Sequence, residues 1–217
     1  MPQGSQEEAK PTRMELLRLK KRVDLAEKGR DLLKEKRDAL VMEFFDSMRL
    51  VQEKRQSANR ILERAYRSLT LCYAAMGSDE TRQISTYTKA EIDVSLGSKN
   101  IMGVIVPTAE LGDVTREVAE RGYSLVGGSI RLDEAAEAFE EALQAIVDLA
   151  AAEETARKVA SELEKTKRRV SALDNVVVPG LRGTIKMIED RLEELERENF
   201  SRLKKIKSIL TERESEA

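Results

Sequence analysis

A chain of 217 residues with 36% charged side chains, 4% aromatic ones and no Trp has too little apolar bulk for a large three-dimensional core. Its 38 basic and 40 acidic residues nearly cancel, and a net charge of -2 gives no reason to expect a polyanion partner for the chain as a whole. The absence of histidine excludes His-based triads, a His general base and imidazole metal sites, and the single Cys72 excludes an internal disulfide.

Residues 1–12 are aperiodic and rich in turn formers, which predicts a disordered tail. Thr12 followed by Glu15 has capping-box spacing and predicts a helix over residues 13–76. Leu16, Leu19, Val23, Ala26, Leu33, Leu40, Phe44, Val51, Ala58, Ile61 and Ala65 mark its stripe, with Arg30, Arg37, Ser47 and Lys54 in the remaining seam positions. The mean step of 3.5 residues is the period of a left-handed coiled coil, which needs only a narrow apolar seam. At ~1.5 Å per residue such a helix would extend on the order of 90 Å, so length itself is expected to be functional. Gly77-Ser78-Asp79 supplies a stop and a polar turn.

Residues 77–130 change character and predict a small α+β head. Two β-rich runs, Ile92 to Gly97 and Ile101 to Pro107, are separated by Ser98-Lys99-Asn100, which reads as a hairpin turn with Pro107 closing the second strand. Such a ribbon is marginal alone and has to lean on the helices or on another protein. Val114 to Glu120 suggests a short helix before Gly122, and Gly127-Gly128 a further break.

A second long helix is predicted over 131–212, with a frayed tail at 213–217. Its stripe includes Phe139, Leu143, Ile146, Val159, Leu163, Val170, Leu173 and Val177, then Leu181, Ile185, Ile188, Leu192, Leu195, Leu203, Ile206 and Leu210. Pro179 between them costs roughly 3 kcal/mol inside a helix, yet the stripe resumes at once, which predicts one helix bent or loosened there. The stripe after Val170 averages about 3.6 residues per step, favouring a nearly straight helix and a shallow, uneven supercoil. The fold class is therefore mainly α: a long antiparallel two-helix coiled coil with a small head containing a short β-hairpin. Matching the start of one helix to the end of the other would set Phe44 and Phe45 opposite Gly180 and Gly183, where small residues could accommodate the rings.

No Gly-rich phosphate loop of the Walker or dinucleotide type is present, so no cofactor is expected. Carboxylate pairs such as Glu153-Glu154 and Glu193-Glu194 read as solvated charge on helix faces, and Cys72, within the stripe, as a small buried residue. A lone enzyme is the least favoured class. Two basic clusters, Arg18, Lys20, Lys21 and Arg22 near the start of the first helix and Arg202, Lys204, Lys205 and Lys207 near the end of the second, would meet at one end of an antiparallel hairpin. They read as solvated surface, as a contact for an acidic protein face, or as a phosphate contact; the neighbouring run Glu189, Asp190, Glu193, Glu194, Glu196 and Glu198 weakens the last. The polar seam residues set register or meet a third partner. With no apolar leader or run of about twenty apolar residues, a cytosolic chain is expected.

Thr12-Arg-Met-Glu-Leu-Leu-Arg-Leu-Lys-Lys-Arg-Val, followed by Leu25-Ala-Glu-Lys-Gly-Arg-Asp-Leu-Leu-Lys-Glu-Lys-Arg-Asp-Ala-Leu-Val, resembles the N-terminal helix of the D subunit of V-type and archaeal A-type rotary ATPases. The stretch from Arg168 through Asn175-Val-Val-Val-Pro-Gly-Leu-Arg-Gly to Glu194 resembles that family's second signature, which carries a proline inside the long helix. The resemblance implies a non-catalytic central rotor shaft, transmitting torque between a catalytic hexamer and the membrane rotor ring of a proton- or sodium-translocating ATPase or ATP synthase. It implies as partners the catalytic and nucleotide-binding subunits, a small central-stalk subunit held by the head, and a membrane-side adaptor, with no direct nucleic acid or membrane insertion. The location implied is cytoplasmic, peripheral to the membrane. On that reading the two basic clusters are the candidate hexamer contacts, and Ile92, Val94, Ile101, Val104 and Val106 the candidate stalk-partner contacts. A structural coiled-coil scaffold or nucleic-acid-associated arm is the competing reading.

Overall fold

The computed structural model describes residues 10–88, 92–112, 114, 121 and 129–215, with side chains as far as residue 211. The fold is mainly α, with antiparallel helix pairing and one two-stranded antiparallel hairpin. The elements are α1 (Arg13–Met76), α2 (Ser78–Ser85), β1 (Val94–Ile101), β2 (Val104–Leu111), α3 (Ile130–Ala172), a π-helical turn (Leu173–Val177) and α4 (Val178–Ser215). Two compact units divide the chain: Met1–Arg37 with Lys165–Ala217, and Asp38–Glu164. The expectations for residues 1–9, for a helix over Val114 to Glu120 and for breaks at Gly122 and Gly127-Gly128 lie outside the described residues, apart from Val114.

At the start of α1 the Thr12 hydroxyl accepts the Glu15 backbone N–H at 3.2 Å, satisfying one of the open donors of the first turn. The capping box is half closed, because the Thr12 N–H donates to the Lys10 carbonyl at 2.8 Å and the Glu15 carboxylate lies 3.7 Å from Arg18. Gly77, at φ 87, ends α1 and at once begins α2, an eight-residue helix where a polar turn was expected. Its Thr81 hydroxyl bonds the Gly77 carbonyl at 2.8 Å and lies 3.8 Å from the buried Cys72 sulfur.

In the first unit, α1 pairs through a ladder of ions with the second long helix, here the end of α3, the π turn and α4. Arg13 pairs with Glu196, Lys20 with Glu189 at 2.7 Å, Glu27 with Arg182 at 2.6 Å and Lys34 with Asp174 at 3.0 Å. Each rung descends α1 by seven residues, and the second helix answers with seven, seven and then eight. The buried stripe shows the same surplus: Val170 and Val178, both 4% exposed, stand eight apart, while Val177 is 40% exposed. One residue more than the heptad has entered the second helix, and the π turn takes it up, closing with a bond from the Val178 N–H to the Leu173 carbonyl five residues back. Pro179 follows directly. It has no N–H to lose, and a widened turn moves the preceding carbonyls away from its ring. The apparent 3.6 period of this stripe is thus a 3.5 period with one extra residue.

In the second unit, Val51, Ala58, Ala65 and Cys72 are all buried at seven-residue intervals along α1. Ala65 packs with Ala138 and Ala142 of α3, flanked by Ile61, Leu62 and Phe139; such small side chains allow close backbone approach. Lys54 meets Asp148 at 2.8 Å, and Arg64 pairs with Glu141. A second cluster joins Leu40 of α1, Val159 of α3 and Val104 and Val106 of β2, with Phe44, Ile101 and Leu163 against it. Phe44 is therefore seated among Leu40, Val159 and Leu163, and nothing lies within 4 Å of where a Cβ would stand on Gly180 or Gly183. The expected pairing of Phe44 and Phe45 with these glycines is overturned: Phe44 packs in an apolar cluster, and the rungs on either side of Gly180 meet Glu27 and Lys34.

The hairpin turn also differs from expectation. Met102 (φ 50) and Gly103 (φ 84) both take the left-handed region, the two-residue turn that matches strand twist, and the Asn100 side-chain oxygen accepts the Gly103 N–H at 2.8 Å. Ser98-Lys99-Asn100 is strand, in register with Pro107, Val106 and Ile105. Pro107 lies inside β2. Counting from the bonded pair Ile101–Val104, Ser98–Pro107 falls on a pair that exchanges no backbone hydrogen bond, where a missing N–H does no harm.

Candidate interaction surfaces

Arg13, the first residue of α1, already pairs with Glu196, yet α4 runs on to Ser215. Beyond Leu192 every described side chain to residue 211 is exposed. The apolar stripe continues there as Phe200, Leu203, Ile206 and Leu210, each between 53% and 64% exposed, with no facing helix among the described residues. Exposed seam residues at helical spacing form a surface shaped for a partner. Arg202, Lys204, Lys205 and Lys207 surround the stripe. Arg202 lies 3.7 Å from Glu198, and the Lys204 ammonium sits 4.9 Å above the Phe200 ring.

The first basic cluster lies elsewhere. Lys20 faces Glu189, so the centre of the second cluster is roughly fifteen residues, or about 22 Å, further along α4. The expectation that the clusters meet is corrected: α4 outruns α1, and only the second cluster stands on uncovered helix. Arg18, Lys21 and Arg22 are exposed beside the paired seam. The acidic run between the clusters is largely engaged, Glu189 with Lys20, Glu193 with Arg197, Glu194 with Arg191, Glu196 with Arg13 and Glu198 near Arg202.

The polar seam residues turn inward. Arg30 lies 2.8 Å from Asp31 and 3.5 Å from Asp174, and Lys54 reaches Asp148. The Arg30 guanidinium is held above its usual pKa, first by its hydrogen bond to Asp31; desolvation opposes this, and the charges of Asp31, Asp174 and Glu27 add to it. The contacts to Asp174 and Asp148 join the chain's own helices, whereas Arg30–Asp31 lies within α1.

The head candidates divide. Val104 and Val106 are 7% and 2% exposed, and with Ile101 they face the chain's own helices, so their side chains are spent on internal packing. Ile92 and Val94 are exposed. Sequence reasoning missed Leu96 and Ile105, 78% and 70% exposed, and Met102 at the tip. Val94, Leu96 and Ile105 share the outer face of the ribbon, and strand alternation counted from the true turn would have separated them from Val104 and Val106. Among the described residues no three acidic or cysteine side chains gather to hold a metal, and no helix is long and apolar enough to cross a membrane.

Long paired helices with an uncovered end and an apolar ribbon face define a component of a larger assembly. The family model for the ATP synthase D subunit matches residues 15–208. The D subunit of the A-type ATP synthase of Pyrococcus horikoshii is 46% identical over 206 residues, covering 95% of this chain and 96% of the relative. Those of Methanobrevibacter smithii and Methanopyrus kandleri are each 46% identical, over 95% and 97% of this chain and 90% of either relative. The chain belongs to the ATP synthase D-subunit family; it is a non-catalytic component of a rotary ATPase.

Proposed function

We propose that the chain is the central rotor shaft of an A/V-type ATP synthase, turning inside the catalytic hexamer and passing torque to the membrane rotor ring. The observation that carries this reading is the end of α4, where Phe200, Leu203, Ile206 and Leu210 lie exposed within a basic collar. Apolar stripe and collar together suit a socket lined by apolar and acidic side chains. An off-axis body turning in a ring presents a different face to each catalytic site in succession, so each site's open or closed state is biased in turn. The partners on this reading are the catalytic and nucleotide-binding subunits around the helices, a small stalk subunit against the head at Ile92, Val94, Leu96 and Ile105, and a membrane-side adaptor. The parent machine would translocate protons or sodium ions and place the chain at the cytoplasmic face of the membrane.

Capture of the tagged chain from gently solubilised native membranes, with nuclease treatment and intact-complex mass measurement, tests this. One copy within a hexameric ATPase is the expected result. Capture of the chain alone, or with partners that nuclease removes, would overturn the reading. Replacing Arg202, Lys204, Lys205 and Lys207 together by Ser should leave the helices folded and weaken the coupling of ATP turnover to ion movement. Unchanged coupling would remove charge from the explanation of this contact.

A further inference from the structure

We propose that the π turn at Leu173–Val177 is a stored one-residue reserve of chain and the twist joint of the unit that contains it. Two independent records show the reserve: the ion ladder steps by eight at Asp174, and the buried stripe steps by eight from Val170 to Val178. One residue of α-helix is worth about 100° of rotation and 1.5 Å of rise. Held in a wide turn, it leaves the seam in phase on both sides. Released or redistributed, it lets α4 turn about its own axis against α1.

Three features place the joint here. No side chain of the turn is fully buried, Leu173 and Asp174 being half-buried and the other three exposed, so distortion of its backbone disturbs little packing. Pro179 has no N–H to give the Asn175 carbonyl four residues back, inside the turn, which makes closure to a regular helix unfavourable at this point. Gly180 and Gly183 follow with nothing within 4 Å of a notional Cβ, so the backbone there is free of packing neighbours. Asp174 lies between Lys34, at 3.0 Å, and Arg30, at 3.5 Å, two cations one helical turn apart on α1. A carboxylate shared in this way can lean toward either cation, which provides a soft stop for small rotations. Among the described residues, the rung Lys20–Glu189 shows a single cation at its carboxylate.

The test uses the full chain in a Pro179→Ala background, so that the proline itself does not oppose a closed helix. Deleting Asn175 removes the surplus residue and preserves the phase of both ladder halves; deleting Arg191 removes a residue where no surplus exists. Thermal unfolding and amide hydrogen exchange are the readouts. The deletion of Asn175 should raise Tm above that of Pro179→Ala alone and slow exchange across 173–178 by tenfold or more, whereas the deletion of Arg191 should lower Tm. A lower Tm on deleting Asn175, or exchange across 173–178 that does not slow, would overturn the proposal.

Discussion

Lys34 holds Asp174 at 3.0 Å, although a strict heptad counted back from Arg182, the partner of Glu27, would have delivered Asn175 to that place. This one-residue displacement is absorbed without loss of pairing on either side, and the ion pairs and the buried stripe, with Val170 and Val178 eight apart, both keep their alignment through it. Each such pair is weak, with exposed ones worth between ~0.2 and ~1 kcal/mol, but several at heptad spacing exclude the neighbouring registers.

The Lys54–Asp148 pair measures that energy directly. Both side chains are about two-fifths exposed, at 42% and 36%, so a double-mutant cycle with Lys54→Ala and Asp148→Ala should return a coupling of about 0.5 kcal/mol by urea unfolding. A coupling above about 2 kcal/mol would show that the pair is desolvated far beyond its exposure.

Leu40 is fully buried where α1, α3 and the hairpin meet. Leu40→Ala should destabilise the chain by about 2–4 kcal/mol and raise amide exchange in β1 and β2 more than in α2. Exchange that rises equally in both would mean that the ribbon does not depend on this cluster.

Thr166 is 1% exposed, and its hydroxyl has no hydrogen-bond partner among the described residues. Thr166→Val keeps the shape and removes the buried polar group, so stability should rise by about 1 kcal/mol in chemical denaturation. A loss of stability would reveal a bond made by the hydroxyl.

Met102 occupies the left-handed region at φ 50, which a side chain of its kind adopts at a cost of roughly 1 kcal/mol. Met102→Asn supplies the residue that this turn prefers before glycine, and the unfolding midpoint should rise by an amount equivalent to about 0.5–1 kcal/mol.

The ribbon's two faces differ in burial, and on the proposed function the exposed one meets the small stalk subunit. Val106→Asp should unfold the hairpin, whereas Ile105→Ser, on the 70%-exposed face, should leave far-UV circular dichroism and Tm unchanged and reduce co-purification of the small stalk subunit. Full co-purification with Ile105→Ser would move the companion's site off this face.

Much of this was legible in the sequence because its signals are local. Thr12 and Gly77 announce their ends by cap chemistry and backbone freedom, and Val51, Ala58, Ala65 and Cys72 keep their interval without interruption. What was misread depended on comparison between distant segments. The surplus residue near Asn175 vanished into an averaged period, because one extra residue over forty changes a mean step by very little. The turn at Met102-Gly103 was hidden because methionine rarely takes a positive φ, while Ser98-Lys99-Asn100 has turn-like composition. Size matching of Phe44 to Gly180 failed because Phe44 is taken up by the apolar cluster of Leu40, Val104, Val106 and Val159, a set of contacts drawn from distant segments. The clusters were expected to coincide because nothing local in α4 reports where α1 begins.

The uncovered end of α4 also has a bearing on how the chain reaches its place. Residues 200–210 follow, in chain order, every described segment that packs within the chain, and their apolar row finds no cover among the described residues. On the proposed function, a copy outside the complex keeps Phe200, Leu203, Ile206 and Leu210 in water. On that same reading, copies made in excess of the complex would carry a mark absent from assembled ones, legible to any chaperone or protease that binds apolar helix.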